Sequence, residues 1–148
     1  MLQLLLGMLN NSTLLLFGVF VSSAILSIPF HKKNIVILLA FSIAINALQF
    51  ALYSNIGLKS TQWFYPFITH LPSVLLYCLY YKRKMVSSLF AIMSAYLCCQ
   101  ISAWISILAL VLTGKLWVAY GVRAVITITL GFIILRYFAS SIAVILTK

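Results

Sequence analysis

Five apolar runs, each near the roughly 20 residues that cross a hydrocarbon core of about 30 Å, follow one another with only short polar breaks. They cover Asn11–Phe30, Asn34–Tyr53, Trp63–Tyr81, Met85–Leu112 and Leu116–Leu135. The first can begin nearer Leu4, and the fourth is long enough to tilt. Such a pattern leaves little choice of fold. The expectation is an all-α, polytopic transmembrane bundle forming a single domain over residues 1–148. A β-barrel would show short alternating segments instead. No repeat, and no Gly/Ser- or Pro-rich linker, divides the chain.

Charge sharpens this reading. The chain is 65% hydrophobic and 7% charged, with Lys+Arg 10 and Asp+Glu 0. A soluble domain carries about 25% charged residues, so this chain could not cover a surface exposed to water. Without carboxylates there is no acidic general base, no carboxylate metal ligand and no acidic proton relay. The positive charges flank apolar runs rather than forming a basic face, which argues against nucleic acid as a partner. The first run lacks a preceding Lys or Arg and a following A-x-A site, so it is not expected to be a cleaved signal.

With the amino terminus outside, five spans put Lys32, Lys33, Lys82, Arg83, Lys84, Arg136 and Lys148 inside, and only Lys59 and Lys115 outside. That asymmetry is what the positive-inside rule expects of a multi-pass cell-membrane protein with its carboxyl terminus inside. The rings of Trp63 to Tyr65, with Trp117 and Tyr120, then mark the outer interface, and Tyr80 and Tyr81 the inner one. The stretch Tyr137–Lys148 is too short to span, and either lies at the interface or extends the last span.

Cys98 and Cys99 sit inside the fourth run, in "AYLCCQISAW". At helical spacing Ala91, Ala95 and Cys99 line up, as do Cys98, Ser102 and Ser106. In lipid, small side chains let helices approach closely, and cysteine acts there as a small hydrophobe. A packing face is therefore expected. A metal site is not: adjacent helical residues point about 100° apart, and a zinc site needs four suitably placed ligands. No cofactor is expected.

The third run contains Pro66 and Pro72. Pro72 has no N–H for the carbonyl of Ile68, so a kink is expected there. Either His70 or a nearby hydroxyl satisfies the opened backbone, or His70 contacts a ligand. Ser42, Asn46, Gln49 and Tyr53 share one side of the second run. Gln100 lies in the fourth run, and Arg123 in the fifth with Thr127 one turn on. His70, Arg123, Gln100, Gln49 and Asn46 are the candidate ligand-binding residues, lining a polar, cationic cleft. Each also has a plainer role. The amides can bond a neighbouring helix, and Arg123 can snorkel to lipid phosphate or meet an acidic residue of a partner chain.

Residues Tyr65 to Ile105, "YPFITHLPSVLLY…YKRKMVSSLFAIMSAYLCCQISAWI", resemble the membrane sensor region of certain bacterial GHKL-type sensor histidine kinases. The likeness rests on Tyr65, Pro66, His70, Leu71 and Pro72, a basic turn, then Ala95 to Gln100 and Trp104, about a quarter of the chain. It implies a sensor or receptor-like input module in signal transduction, partnered by the bilayer, a second copy, or a cytoplasmic signalling protein. The chain reaches only Lys148 and its loops hold no glycine-rich nucleotide element, so no kinase, and no enzyme of another kind, is expected. The alternative is a small permease or channel subunit for an anionic or neutral solute.

Overall fold

A computed structural model describes residues 2–56 and 58–138. They form five helices joined by short turns: α1 Leu2–Ile25, α2 Lys32–Ile56, α3 Leu58–Leu75, α4 Met85–Thr113 and α5 Leu116–Ile133. Helices α3 and α5 each run on into a wider π turn, Leu76–Tyr80 and Ile134–Phe138. No strand occurs among the described residues. Lys59 and Trp63 lie in α3 with side chains outside the described set, and residues 139–148 lie outside the described residues.

Four helices are long and apolar enough to cross a membrane: Leu6–Ile25, Lys32–Asn55, Met85–Thr113 and Leu116–Tyr137. Helix α3 is shorter and more polar, with both prolines inside it. The chain is therefore an all-helical protein of membrane type.

The packing is that of a bundle built for lipid. Large apolar side chains cover the outside, among them Val36, Phe50, Leu97, Trp104, Val111 and Phe132. Small and polar ones, among them Ser22, Ser23, Ser42, Ser88, Ser102 and Thr127, share the inside with apolar ones such as Phe17, Leu38 and Ile25. Water would disfavour so large an apolar exterior, whereas lipid tails leave close packing and hydrogen bonds to hold helices together.

Helix α1 lies at the centre. Phe17, Val19, Val21, Ser22, Ser23 and Ile25 are all buried, although they point in different directions around the helix. Helices α4 and α5 pack on it and on each other, while α2 and α3 pair beside them. Gly131 of α5 meets the ring of Phe17; a Cβ built there would come within 3.1 Å of it. On α4, Ser88, Ala91, Ala95, Cys99, Ser102 and Ser106 are buried and Cys98 is half-buried, so the small face points inward. Thr127 of α5 donates to Ser102 at 2.8 Å across this seam.

The turns fix which ends lie together. Helix α4 stops at Gly114, whose left-handed φ of 65° suits glycine, and its N–H caps the Leu110 carbonyl. Two residues later α5 begins, so α4 and α5 form a tight hairpin. At the other end, Ser27 and Lys82 both take positive φ, 54° and 52°. There the Arg83 guanidinium donates to the Ser27 carbonyl at 3.1 Å, tying the α1–α2 turn to the α3–α4 turn.

Candidate functional site

The polar interior follows from where hydroxyls and amides can be tolerated. In lipid an unsatisfied polar group costs several kcal/mol, so these side chains turn toward the bundle axis. A cavity of about 340 Å³ opens among α1, α3, α4 and α5. Helix α1 contributes Asn11, Leu14, Leu15, Gly18, Val19 and Ser22, one continuous face. Helix α3 contributes Tyr65, Thr69, His70 and Ser73, and α4 contributes Ile92, Tyr96, Cys99 and Gln100. Arg123 is the residue from α5.

Arg123 is the electrostatic centre. It lies about two turns, or roughly 10 Å, from the start of α5. Its Nε is buried and has no hydrogen-bond partner. The chain contains no Asp or Glu to meet its charge. A half-buried guanidinium without a counter-charge carries a desolvation cost that a bound anion would offset.

His70 does not serve the opened backbone of α3. Its ring packs edge-on to Tyr65, with centroids 6.0 Å apart, and to Tyr96, at 5.3 Å. The hydroxyls of Thr69 and Ser73 bond the carbonyls of Tyr65 and Thr69 on their own helix, not that of Ile68. The helix continues through Pro72 to Leu75 and then loosens into the π turn. The π turn begins at Leu76, four residues beyond Pro72.

That π turn holds Tyr77, which is fully buried. Its hydroxyl donates to the Val19 carbonyl at 2.9 Å and lies 2.7 Å from the Ser22 hydroxyl and 3.0 Å from that of Ser23. Ser22 also lines the cavity. One serine therefore touches both the cavity and the hinge-like turn leading to Lys82-Arg83-Lys84.

Of the five candidate ligand residues, His70, Gln100 and Arg123 share this cavity and Asn46 and Gln49 do not. Asn46 accepts a bond from Ser12 at 3.0 Å and donates to the Ser42 carbonyl, joining α2 to α1. Gln49 is buried on the same helix, its Nε2 unpaired. Periodicity had placed these residues on one side of α2, but it carries no information about which helix that side meets. The sequence reading also missed Tyr65, Thr69 and Ser73. Their four-residue spacing is the available signal, masked because Tyr65 also suits an interfacial ring.

The three cysteines are free thiols. Among the described residues no three His, Cys, Asp or Glu side chains lie together as a metal site would need. Comparisons with protein-family models, curated proteins and solved structures gave no match to this chain.

Proposed function

We propose that the chain is a membrane-embedded receptor module, the input half of a signalling protein of the sensor-kinase type that Tyr65 to Ile105 resemble. The observation that carries this is Arg123, a half-buried cationic group with no carboxylate in the chain to meet it, lining a cavity shared by four helices. A ligand bound there would bridge all four of those helices. Its signal would pass from Ser22 to Tyr77, through the π turn, to the basic turn that Arg83 ties to Ser27. For this to work the ligand must favour one packing of the π turn over another.

The topology that suits this role has five spans, the amino terminus outside. Helix α3 with its π turn supplies the fifth. Its polar side chains face the cavity, while Phe64, Phe67, Leu71, Leu75 and Leu79 are exposed along the opposite stripe, as lipid contact requires. The cavity then sits in the outer half of the bilayer, and the basic turns face the cytoplasm and a signalling partner there.

The coupling can be tested without knowing the ligand. A Cβ built on Gly18 meets nothing within 4 Å, so Gly18→Leu extends into the cavity and mimics occupancy. A reporter cysteine at Lys84, in protein whose native cysteines are replaced, should then react with a thiol reagent at a rate changed several-fold. Adding Tyr77→Phe should abolish that change. An identical rate with and without Gly18→Leu would refute a link between cavity and turn.

A further inference from the structure

The receptor reading leaves the ligand's chemistry open, and the cavity constrains it in three ways. The inference drawn here rests on that reading and names what the cavity takes.

Charge comes first. Arg123 is the single Lys or Arg among the lining residues, and the chain has no acidic residue to oppose it. One fixed positive charge in a low-dielectric site is balanced by one negative charge. A dianion would need a second positive charge, which among the lining residues only a protonated His70 could supply.

Donor geometry comes second. The Nε of Arg123 is closed off from a water-sized molecule, so a ligand in the cavity meets the two terminal Nη groups. In a guanidinium these lie along a single edge of the plane. That edge matches the two oxygens of a carboxylate in a bidentate grip.

The walls come third. Leu14, Leu15, Val19 and Ile92 are apolar, while Gln100 and Asn11 supply neutral hydrogen-bonding groups. A volume of about 340 Å³ is at the small end of small-molecule sites, which run from roughly 300 to 1,000 Å³. The space suits a compact body with an apolar side and one or two amide groups.

The geometry points to a monoanionic carboxylate on a small, partly apolar molecule, of the size of an acylated amino acid, with Arg123 gripping the carboxylate edge-on. A phospholipid phosphodiester is also monoanionic and could arrive from the bilayer, so the experiment separates the two sources.

Calorimetry on the whole chain in phosphate-free maltoside micelles, with N-acetyl-leucine, its neutral amide and isoamyl phosphate as probes, provides the test. The acid is expected to bind saturably, one per chain, and the amide about tenfold more weakly or worse, as loss of a charge-assisted bidentate pair implies. Arg123→Lys should weaken the acid by a similar factor and Arg123→Gln should remove binding. The acid–amide comparison needs no variant, so it stands even where an Arg123 variant fails to fold. Equal affinity for acid and amide overturns the assignment, as does full affinity in folded Arg123→Gln. Binding of isoamyl phosphate alone, lost in Arg123→Gln, overturns the carboxylate class and leaves the receptor reading standing. Displacement of the acid by short-chain phosphatidylglycerol gives the site to a lipid phosphodiester and overturns the free carboxylate. No binding of any probe also overturns the proposal, while the ligand-free coupling between Gly18 and Lys84 is judged on its own result.

Discussion

Two buried hydroxyls show how differently a hydrogen bond can count in this interior. The Tyr77 oxygen lies among three partners on α1, the Val19 carbonyl and the hydroxyls of Ser22 and Ser23. Tyr77→Phe keeps the ring but leaves an apolar edge against groups that cannot reach water. Ser22 can turn toward the Val19 carbonyl, 3.2 Å away, so the loss is partly repaired, and Ser23 is left facing the ring. A cost of about 1–3 kcal/mol is expected, the usual range for an orphaned buried group. Thr127 differs, because its partner Ser102 already donates to the Cys99 carbonyl at 2.8 Å. Thr127→Val therefore strands no donor and should cost only about 0.6 kcal/mol, the average for a bond between membrane helices. Thermal unfolding of both variants in the same detergent checks the order; equal shifts would mean that Tyr77 is no hub.

Helix α4 has two faces with opposite tolerance. Ala95 is 1% exposed and Leu97 is 64% exposed, although both are apolar and two residues apart. Ala95→Leu must push apart helices in close contact, and overpacking of this kind costs about 1–3 kcal/mol. Leu97→Ala removes a side chain that touches lipid and should shift stability by no more than about 0.5 kcal/mol. Unfolding midpoints, or yield in the membrane fraction, give the comparison, and a larger loss for Leu97→Ala would turn the helix around. The inward placement of this face was legible in the sequence, since Ala91, Ala95 and Cys99 repeat at helical spacing and lipid rewards small residues at contacts. So was the extent of α4, expected over Met85–Leu112 and found over Met85–Thr113. The central place of α1 was not legible. Hydropathy ranks helices by how readily they leave water, and in lipid it cannot tell a helix surrounded by others from one at the rim. For the same reason the shared face of Asn46 and Gln49 on α2 suggests the cleft although neither lines it. The contact with Ser12 depends on helix rotation, which no spacing within one helix encodes.

At the scale of the molecule the open quantity is how many times the chain crosses the bilayer, and three lysines decide it. Arg83 reaches the Ser27 carbonyl, so the turns near Lys33 and Lys82 meet at one end of the bundle. Helix α4 then runs 29 residues away from Lys82, about 43 Å at 1.5 Å per residue, and Lys115 follows at the far end. There the Lys115 ammonium sits 6.0 Å from the centre of the Trp117 ring, a pairing suited to an interface. Five spans with the amino terminus outside place Lys33 and Lys82 in the cytoplasm and Lys115 outside. Were α3 to turn back without crossing, Lys82 would lie opposite Lys33, and Lys115 would share the side of Lys33. Single cysteines at these three positions, in a background with Cys78, Cys98 and Cys99 replaced, separate the cases. In intact cells an impermeant thiol reagent should label position 115 alone, and positions 33 and 82 only after the membrane is opened. Labelling of 82 from outside with 33 and 115 protected would establish four crossings and a re-entrant α3. Labelling of 33 and 82 with 115 protected would keep five spans and reverse the orientation. The first pattern is expected because it alone puts the clustered cations of both tied turns on the side that retains positive charge, while only Lys59 and the aromatic-flanked Lys115 stand on the other.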